Sequence, residues 1–282
     1  MNHYLYKFSA MTSPCELHIY HTNPSESRGI ASKVLTMVKS LERRYNFYDP
    51  NSFLSQINQR KIKKLDRESI DLLRRSKLFY QKTEGVFDIT MGTLRASLEH
   101  EHIQKLEEEQ ARLRPFLGVE HFKIQRNQIY FDNPYTQIDL GGFVKEYAVD
   151  QTVKLLKREG VRSALVNFGG DIYALGKKPN GEAFSIGIKN PLKPQEHIIH
   201  IDLQDQALTT SASYERYHTI EGKNYSHLLS NGDALQSEVI SATVISPSVV
   251  ESGVFSTALM IRPSIAVSLE KYLIRRDLTI LS

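Results

Sequence analysis

The stretch Gln137-Ile138-Asp139-Leu140-Gly141-Gly142-Phe143-Val144-Lys145 is followed, one helix length later, by Val166-Asn167-Phe168-Gly169-Gly170-Asp171-Ile172. Each half runs an apolar strand pattern into paired glycines beside an aspartate. Such a pair lets backbone lie close against a large ligand, and the carboxylate can orient it. Two pairs joined by a single helix point to a site for a phosphate-bearing cofactor. Neither opens a helix as G-x-G-x-x-G after a first strand, which argues against a dinucleotide fold.

Outward from these segments, the patterning predicts strands at Phe122–Gln125, Gln128–Phe131 and Gln137–Leu140, then a helix over about 143–159 closed by Gly160. Further strands are expected at Ala164–Phe168, Phe184–Ile188, His197–Leu203 and Val239–Ile245, with a last helix near 251–261. Toward the N-terminus, residues 4–20 alternate as a strand pair broken at Thr12-Ser13-Pro14. Asn23, Pro24 and Glu26 then form a helix start, with Ile30, Val34, Met37, Val38 and Leu41 as its buried stripe. A second helix over about 66–84 stops at Gly85, and a third over about 101–114 is strongly charged. Helices early and strands late favour an α+β fold of mixed, largely antiparallel sheets with flanking helices. The 282 residues are expected to form a single unit, or two intimately packed subdomains.

Composition excludes several classes. The net charge of +4 is small, and the basic residues are scattered, so no nucleic-acid partner is expected. A single cysteine, Cys15, rules out an internal disulfide framework and a cysteine metal cluster. No apolar run reaches the ~20 residues that span a bilayer. The first eight residues lack the apolar core of a secretion signal, so the chain reads as cytoplasmic; one trimmed of a leader, and hence periplasmic, would read the same.

Five segments set glycine or small residues beside polar groups. Taken singly, each has a structural alternative. Gly85-Val86-Phe87-Asp88-Ile89-Thr90 can be a helix stop and turn, Asp139 a helix cap, and Gly169-Gly170-Asp171 a tight turn. The hydroxyls of Thr209-Thr210-Ser211 can satisfy local backbone, and His227 can be a structural histidine.

Their order along the chain resembles the FAD:protein FMN transferase (ApbE-type) family over roughly residues 4–262. The resemblance rests on Met11-Thr12-Ser13-Pro14, on Tyr48, Ser52 and Asn58, and on Gly85, Phe87, Asp88 and Thr90. It continues through Asp139-Leu140-Gly141-Gly142 with Lys145, Asn167 with Gly169-Gly170-Asp171-Ile172, Thr210-Ser211-Ala212, Tyr225-Ser226-His227 and Ser256-Thr257-Ala258. The family implies an ApbE-like fold, FAD as substrate and Mg2+ as cofactor. FMN would pass from FAD to a Thr or Ser hydroxyl of an acceptor flavoprotein, releasing AMP. His227 would serve as catalytic base or proton shuttle. Met11, Tyr48, Val86, Phe87, Asp88, Asp139, Lys145, Gly169, Gly170, Asp171, Thr210 and Ser211 would line the FAD pocket, with the Gly142 carbonyl and Thr257 hydroxyl on the metal.

The chain departs from the family pattern at three places. Gly253 stands where the family has an aspartate four residues before the metal threonine, and Glu146 where it has a glycine after the lysine. After His227 the run Leu228-Leu229-Ser230-Asn231-Gly232 replaces His-x-x-Asp-Pro-x-x-Gly. Magnesium leans on one or two carboxylates plus substrate phosphate, so a carbonyl and a hydroxyl alone would hold it weakly. Two alternatives to transfer therefore stand beside it: a flavin-binding protein without chemistry, and an FAD pyrophosphate hydrolase using water as acceptor.

Overall fold

The computed structural model describes residues 1–99, 103–212, 217–220, 223–226 and 239–282. In chain order the strands are β1 Asn2–Ala10, β2 Ser13–His21, β3 Phe122–Gln125, β4 Gln128–Phe131, β5 Ala164–Phe168, β6 Asp171–Leu175 and β7 Phe184–Asn190. They continue as β8 Lys193–Leu203, β9 Gln206–Ala212, β10 Tyr217–Ile220, β11 Lys223–Ser226, β12 Val239–Ser246, β13 Lys271–Arg275 and β14 Ile280–Leu281. The helices are α1 Pro24–Arg44, α2 Phe53–Asn58, α3 Arg67–Lys82, α4 Ile103–Leu113, α5 Val144–Arg158 and α6 Val249–Ile261. The chain forms two compact units, the first of 1–43, 143–212 and 237–282, the second of 44–142 and 213–236.

The first unit is built on an eight-stranded sheet in the order β1-β2-β5-β6-β9-β12-β13-β14, in which every neighbouring pair is antiparallel. On one face Ile172, Ala174, Leu208, Ile245 and Ile274 meet the inward side chains Phe184, Ile186, Ile188, Ile201 and Leu203 of the β7–β8 hairpin in a common core. On the other face lies α6, packed on β9, β12 and α5. Strand alternation sorts the β9 hydroxyls between these faces. Thr209 and Ser211 reach α6, while Thr210 is bonded to Thr243 of β12.

Helix α1 starts as its sequence predicts. Asn23 Oδ1 accepts the N–H of Ser25 at 2.9 Å and of Glu26 at 3.3 Å, and its amide donates back to Glu26 at 2.9 Å. Ile30, Val34, Val38 and Leu41 are buried, and Met37 is half-buried. The β1–β2 turn sits at Met11-Thr12, both at positive φ, so Ser13 and Pro14 already belong to β2. Gly169 and Gly170, with φ of 62° and 94°, form the two-residue turn between paired Phe168 and Asp171. Positive φ at both positions is what such a hairpin demands.

The second unit holds α2, α3, α4, the β3–β4 hairpin, the β10–β11 hairpin and a 3-10 segment over Ile89–Glu99. Gln137–Leu140, expected as a strand, joins no ladder among the described residues. The amide of Asn58 takes the partner's place, accepting from the N–H of Ile138 at 2.8 Å and donating to its carbonyl at 2.8 Å. One side chain thus satisfies both backbone groups that a neighbouring strand would have used. Asp66 caps α3 through the N–H of Ser69, and Gly85 closes it in a left-handed conformation, donating to the Tyr80 carbonyl at 2.8 Å.

Candidate functional site

The predicted site residues divide between the units. Met11, Lys145, Gly169, Gly170, Asp171, Thr210, Ser211 and Thr257 belong to the first; Tyr48, Val86, Phe87, Asp88, Asp139 and Gly142 belong to the second. His227 lies outside the described residues.

In the first unit the β5–β6 turn meets the start of α5. Lys145 Nζ lies 2.9 Å from Asp171 Oδ2, and Asp171 is 3% exposed. A Cβ built on Gly169 would stand 2.8 Å from Ser13 Cβ and 3.8 Å from Lys145 Nζ, so only glycine lets the turn close over β2. Gly170 is fixed by its N–H donating to Asn167 at 2.9 Å. The Gly-Gly pair is therefore a tight turn, and one that carries the buried Asp171 to the half-buried ammonium of Lys145. Met11 is pinned through its N–H to the Glu42 carboxylate.

One residue after Lys145, Glu146 turns inward in the first turn of α5. It is 7% exposed, and its Oε2 is buried without a hydrogen-bond partner. Burial and the nearby Asp171 charge push its carboxyl up to about 7, against the opposing pull of Lys145. Across from it on α6 is Gly253, where a Cβ would stand only 2.6 Å from Glu146 Cγ. Thr257 follows Gly253 by four positions and so occupies the same helical face. Its hydroxyl is 3.3 Å from Ser211 Oγ, which in turn is 2.9 Å from Ser256 Oγ.

The sequence marks Glu146 only as a departure and Ser256 only as the neighbour of Thr257 in its motif. The signal lay in their neighbours, Lys145 and Thr257. Every donor here is oxygen: carboxylates and hydroxyls suit a hard cation such as Mg2+. Among the described residues no three His, Cys, Asp or Glu side chains converge on a metal. A cation here would rely on hydroxyl, carbonyl and ligand oxygens beside its carboxylate.

In the second unit Asp139 is the organising carboxylate. Its Oδ1 accepts from the N–H of Gly141 at 2.8 Å, and Arg95 Nε lies 2.5 Å from its Oδ2. Arg95 also donates to the Tyr48 hydroxyl and lies near the Phe47 and Tyr48 rings, 5.5 and 5.2 Å from their centroids. Tyr48 is 73% exposed, an aromatic surface open to a planar ligand. Arg95 was invisible in the sequence because no local pattern singles it out. Gly92 permits the approach, since a Cβ there would meet Phe47 at 2.9 Å and the Gln137 carbonyl at 3.0 Å.

Val86, Phe87 and Asp88 form a second, more internal group. The Phe87 N–H donates to the Thr83 hydroxyl at 3.0 Å, and Phe87 is buried. Asp88 Oδ1 accepts from the N–H and hydroxyl of Thr90, both at 2.7 Å. Burial nevertheless holds its carboxyl above the usual carboxylate range. Thr90 in turn accepts from the N–H of Gly118 at 2.8 Å. These bonds make the Gly-x-Phe-Asp-x-Thr run a structural brace within this unit.

The ApbE family model matches residues 11–271. A Vibrio cholerae protein named FAD:protein FMN transferase is 25% identical over 256 residues, covering 86% of this chain and 76% of its own length. An Escherichia coli K12 protein of the same name is 26% identical over 251 residues, covering 83% and 71%. Among solved structures, the ApbE protein of Thermotoga maritima superposes with a TM-score of 0.86 at 24% identity, covering 99% of this chain and 96% of that one. The flavin transferase ApbE of Vibrio cholerae gives 0.85 at 21% identity, with the same coverage. With antiparallel sheets and helices in the expected order, and a family match across nearly its whole length, this chain belongs to the ApbE family.

Proposed function

We propose that the protein transfers FMN from FAD to a Thr or Ser hydroxyl of an acceptor flavoprotein. The observation that carries this reading is the similarity, over at least 251 residues, to two proteins named FAD:protein FMN transferase. The hydroxyl oxygen of the acceptor attacks the phosphorus on the FMN side of FAD. The bond from that phosphorus to the bridging oxygen breaks, AMP leaves with the bridging oxygen, and FMN stays on the acceptor through a phosphoester. His227 would take the hydroxyl proton.

The described residues supply binding and orientation. Lys145, held by Asp171, places a positive charge beside the Gly169-Gly170 turn, where phosphate oxygens gain from it. Tyr48 offers a stacking surface steadied by Arg95. Mg2+ would be held through the Thr257 hydroxyl. When bound, it neutralises charge on phosphate oxygens and on the departing AMP.

Incubation with FAD, Mg2+ and an acceptor flavoprotein, followed by intact-mass measurement of the acceptor, tests this reading. A gain equal to FMN with one AMP released supports it. AMP without the gain would make the protein a hydrolase. Bound FAD with neither product would make it a flavin-binding protein without chemistry.

A further inference from the structure

Two departures from the family pattern, remote in sequence, meet at one point of the first unit. At position 253 a carboxylate is expected and glycine is found; at position 146 glycine is expected and a carboxylate is found. In space the Glu146 side chain lies across Gly253, at a distance no Cβ on residue 253 would tolerate. The carboxylate stands on α5, and α6 leaves room for it at Gly253.

The position of Glu146 is otherwise unfavourable. It is 7% exposed, with one carboxylate oxygen bonded to nothing and a second carboxylate, Asp171, close enough to act on it. A buried, partnerless carboxylate oxygen is unfavourable unless a proton or a cation takes it. Two arrangements hold it there. Asp150, one turn along α5, accepts the N–H groups of Val249 at 2.8 Å and Val250 at 3.3 Å, locking the start of α6 against α5. Gly253 is then one turn further along α6, opposite Glu146, and Thr257 one turn beyond that. Glu146 thus packs against the face of α6 that carries Gly253 and, one turn on, Thr257, whose hydroxyl is 3.3 Å from Ser211 Oγ.

The geometry points to Glu146 as the carboxylate ligand of a divalent cation, replacing the side chain that Gly253 lacks. This inference rests on the transferase reading for the identity of the cation's other partner, the diphosphate of FAD. It makes the two departures one compensated exchange, in which α5 supplies the carboxylate that Gly253 cannot.

The test is Mn2+ binding to the full-length chain, followed by the loss of the free-ion paramagnetic signal, with the metal alone and again with FAD. Four proteins are compared: wild type, Glu146→Gln, Gly253→Asp and the exchange Glu146→Gly/Gly253→Asp. Glu146→Gln keeps the side-chain shape and removes the charge. It should weaken binding by no less than the ~10-fold that even outer-sphere partners contribute. The exchange variant should recover affinity to within about threefold of wild type, and Gly253→Asp alone should not exceed wild type. Wild-type affinity in Glu146→Gln, or no Mn2+ binding by the wild type with FAD present, would overturn the inference. Circular dichroism of each variant separates lost ligation from lost folding. Should Mn2+ binding follow Glu146 while the wild type moves no FMN, the transfer reading fails and the ligand assignment stands. Should FMN move while Glu146→Gln binds Mn2+ normally, the reverse holds.

Discussion

Asp150 accepts the backbone N–H groups of Val249 and Val250 as well as the Ser248 hydroxyl, so a side chain of α5 caps the start of α6. Ser248, at the N-cap itself, makes no side-chain capping bond. The cap therefore comes from the neighbouring helix, tying the pairing of the two helices to the stability of one. Asp150→Ala should cost about 1–2 kcal/mol in urea unfolding, in the range of a lost cap. A loss below about 0.3 kcal/mol would show that the cap does not fix the pairing.

Glu146 and Gly253 should be coupled. Gly253→Ala forces a Cβ to 2.6 Å from Glu146 Cγ, and that atom is too near the backbone to swing away freely. A cost of about 1–3 kcal/mol is expected, as for overpacking in a core. In Glu146→Gly the obstacle is gone, and the added methyl should be neutral or mildly stabilising through the better helix propensity of alanine. A double-mutant cycle measures the difference; additive effects would mean the two side chains do not meet.

The raised Glu146 carboxyl fixes the sign of a pH effect in metal-free protein. Its folded value, about 7, lies above the ordinary 4.5. The stability it contributes is complete below about pH 4.5 and is lost as pH rises through 7, because the native state must then bury the charge. Glu146→Gln cannot ionise and should escape this loss. With EDTA present, the variant should gain on wild type as pH rises from 5 to 8, with the gap closing again toward pH 5. Denaturant midpoints across that range decide it, and a constant gap would contradict the assignment.

Much of the fold was legible in the sequence where a local rule sufficed. Asn23 and Glu26 announced α1, and Gly85 announced the end of α3, because caps and stops are local chemistry. Gln137–Leu140 misled because alternation reports a half-buried extended segment, not what bonds to it; the amide of Asn58 does so from 80 positions away. β6 and β9 went unread because β6 is buried on both faces and β9 carries three consecutive hydroxyl residues that blur its alternation. In the site, the glycine turns and their aspartates were visible as composition. Arg95 was not, since its role depends on meeting Tyr48 and Asp139. Nor could the relation of Glu146 to Gly253 be seen, since it exists only once two helices pack.

Cys15 should be inert in the native protein. It is 2% exposed on β2, its thiol is pushed up to about 11 chiefly by burial, and a backbone hydrogen bond at Ala10 and the Lys145 charge only partly offset this. The thiolate fraction near neutral pH is therefore small, and access is closed. Alkylation by iodoacetamide, followed by mass, should be undetectable over an hour at pH 8 and stoichiometric in urea. Rapid native labelling would contradict the packing of β2 in the sheet.

The central claim is that the carboxylate of this site comes from α5. The most direct measurement is the anomalous difference map of a crystal grown with FAD and Mn2+. The account predicts a metal peak with a Glu146 oxygen at about 2.1 Å and the Thr257 hydroxyl among the remaining ligands. A peak ligated without Glu146, or a map in which that carboxylate stays apart from any metal while FAD is bound, would contradict it.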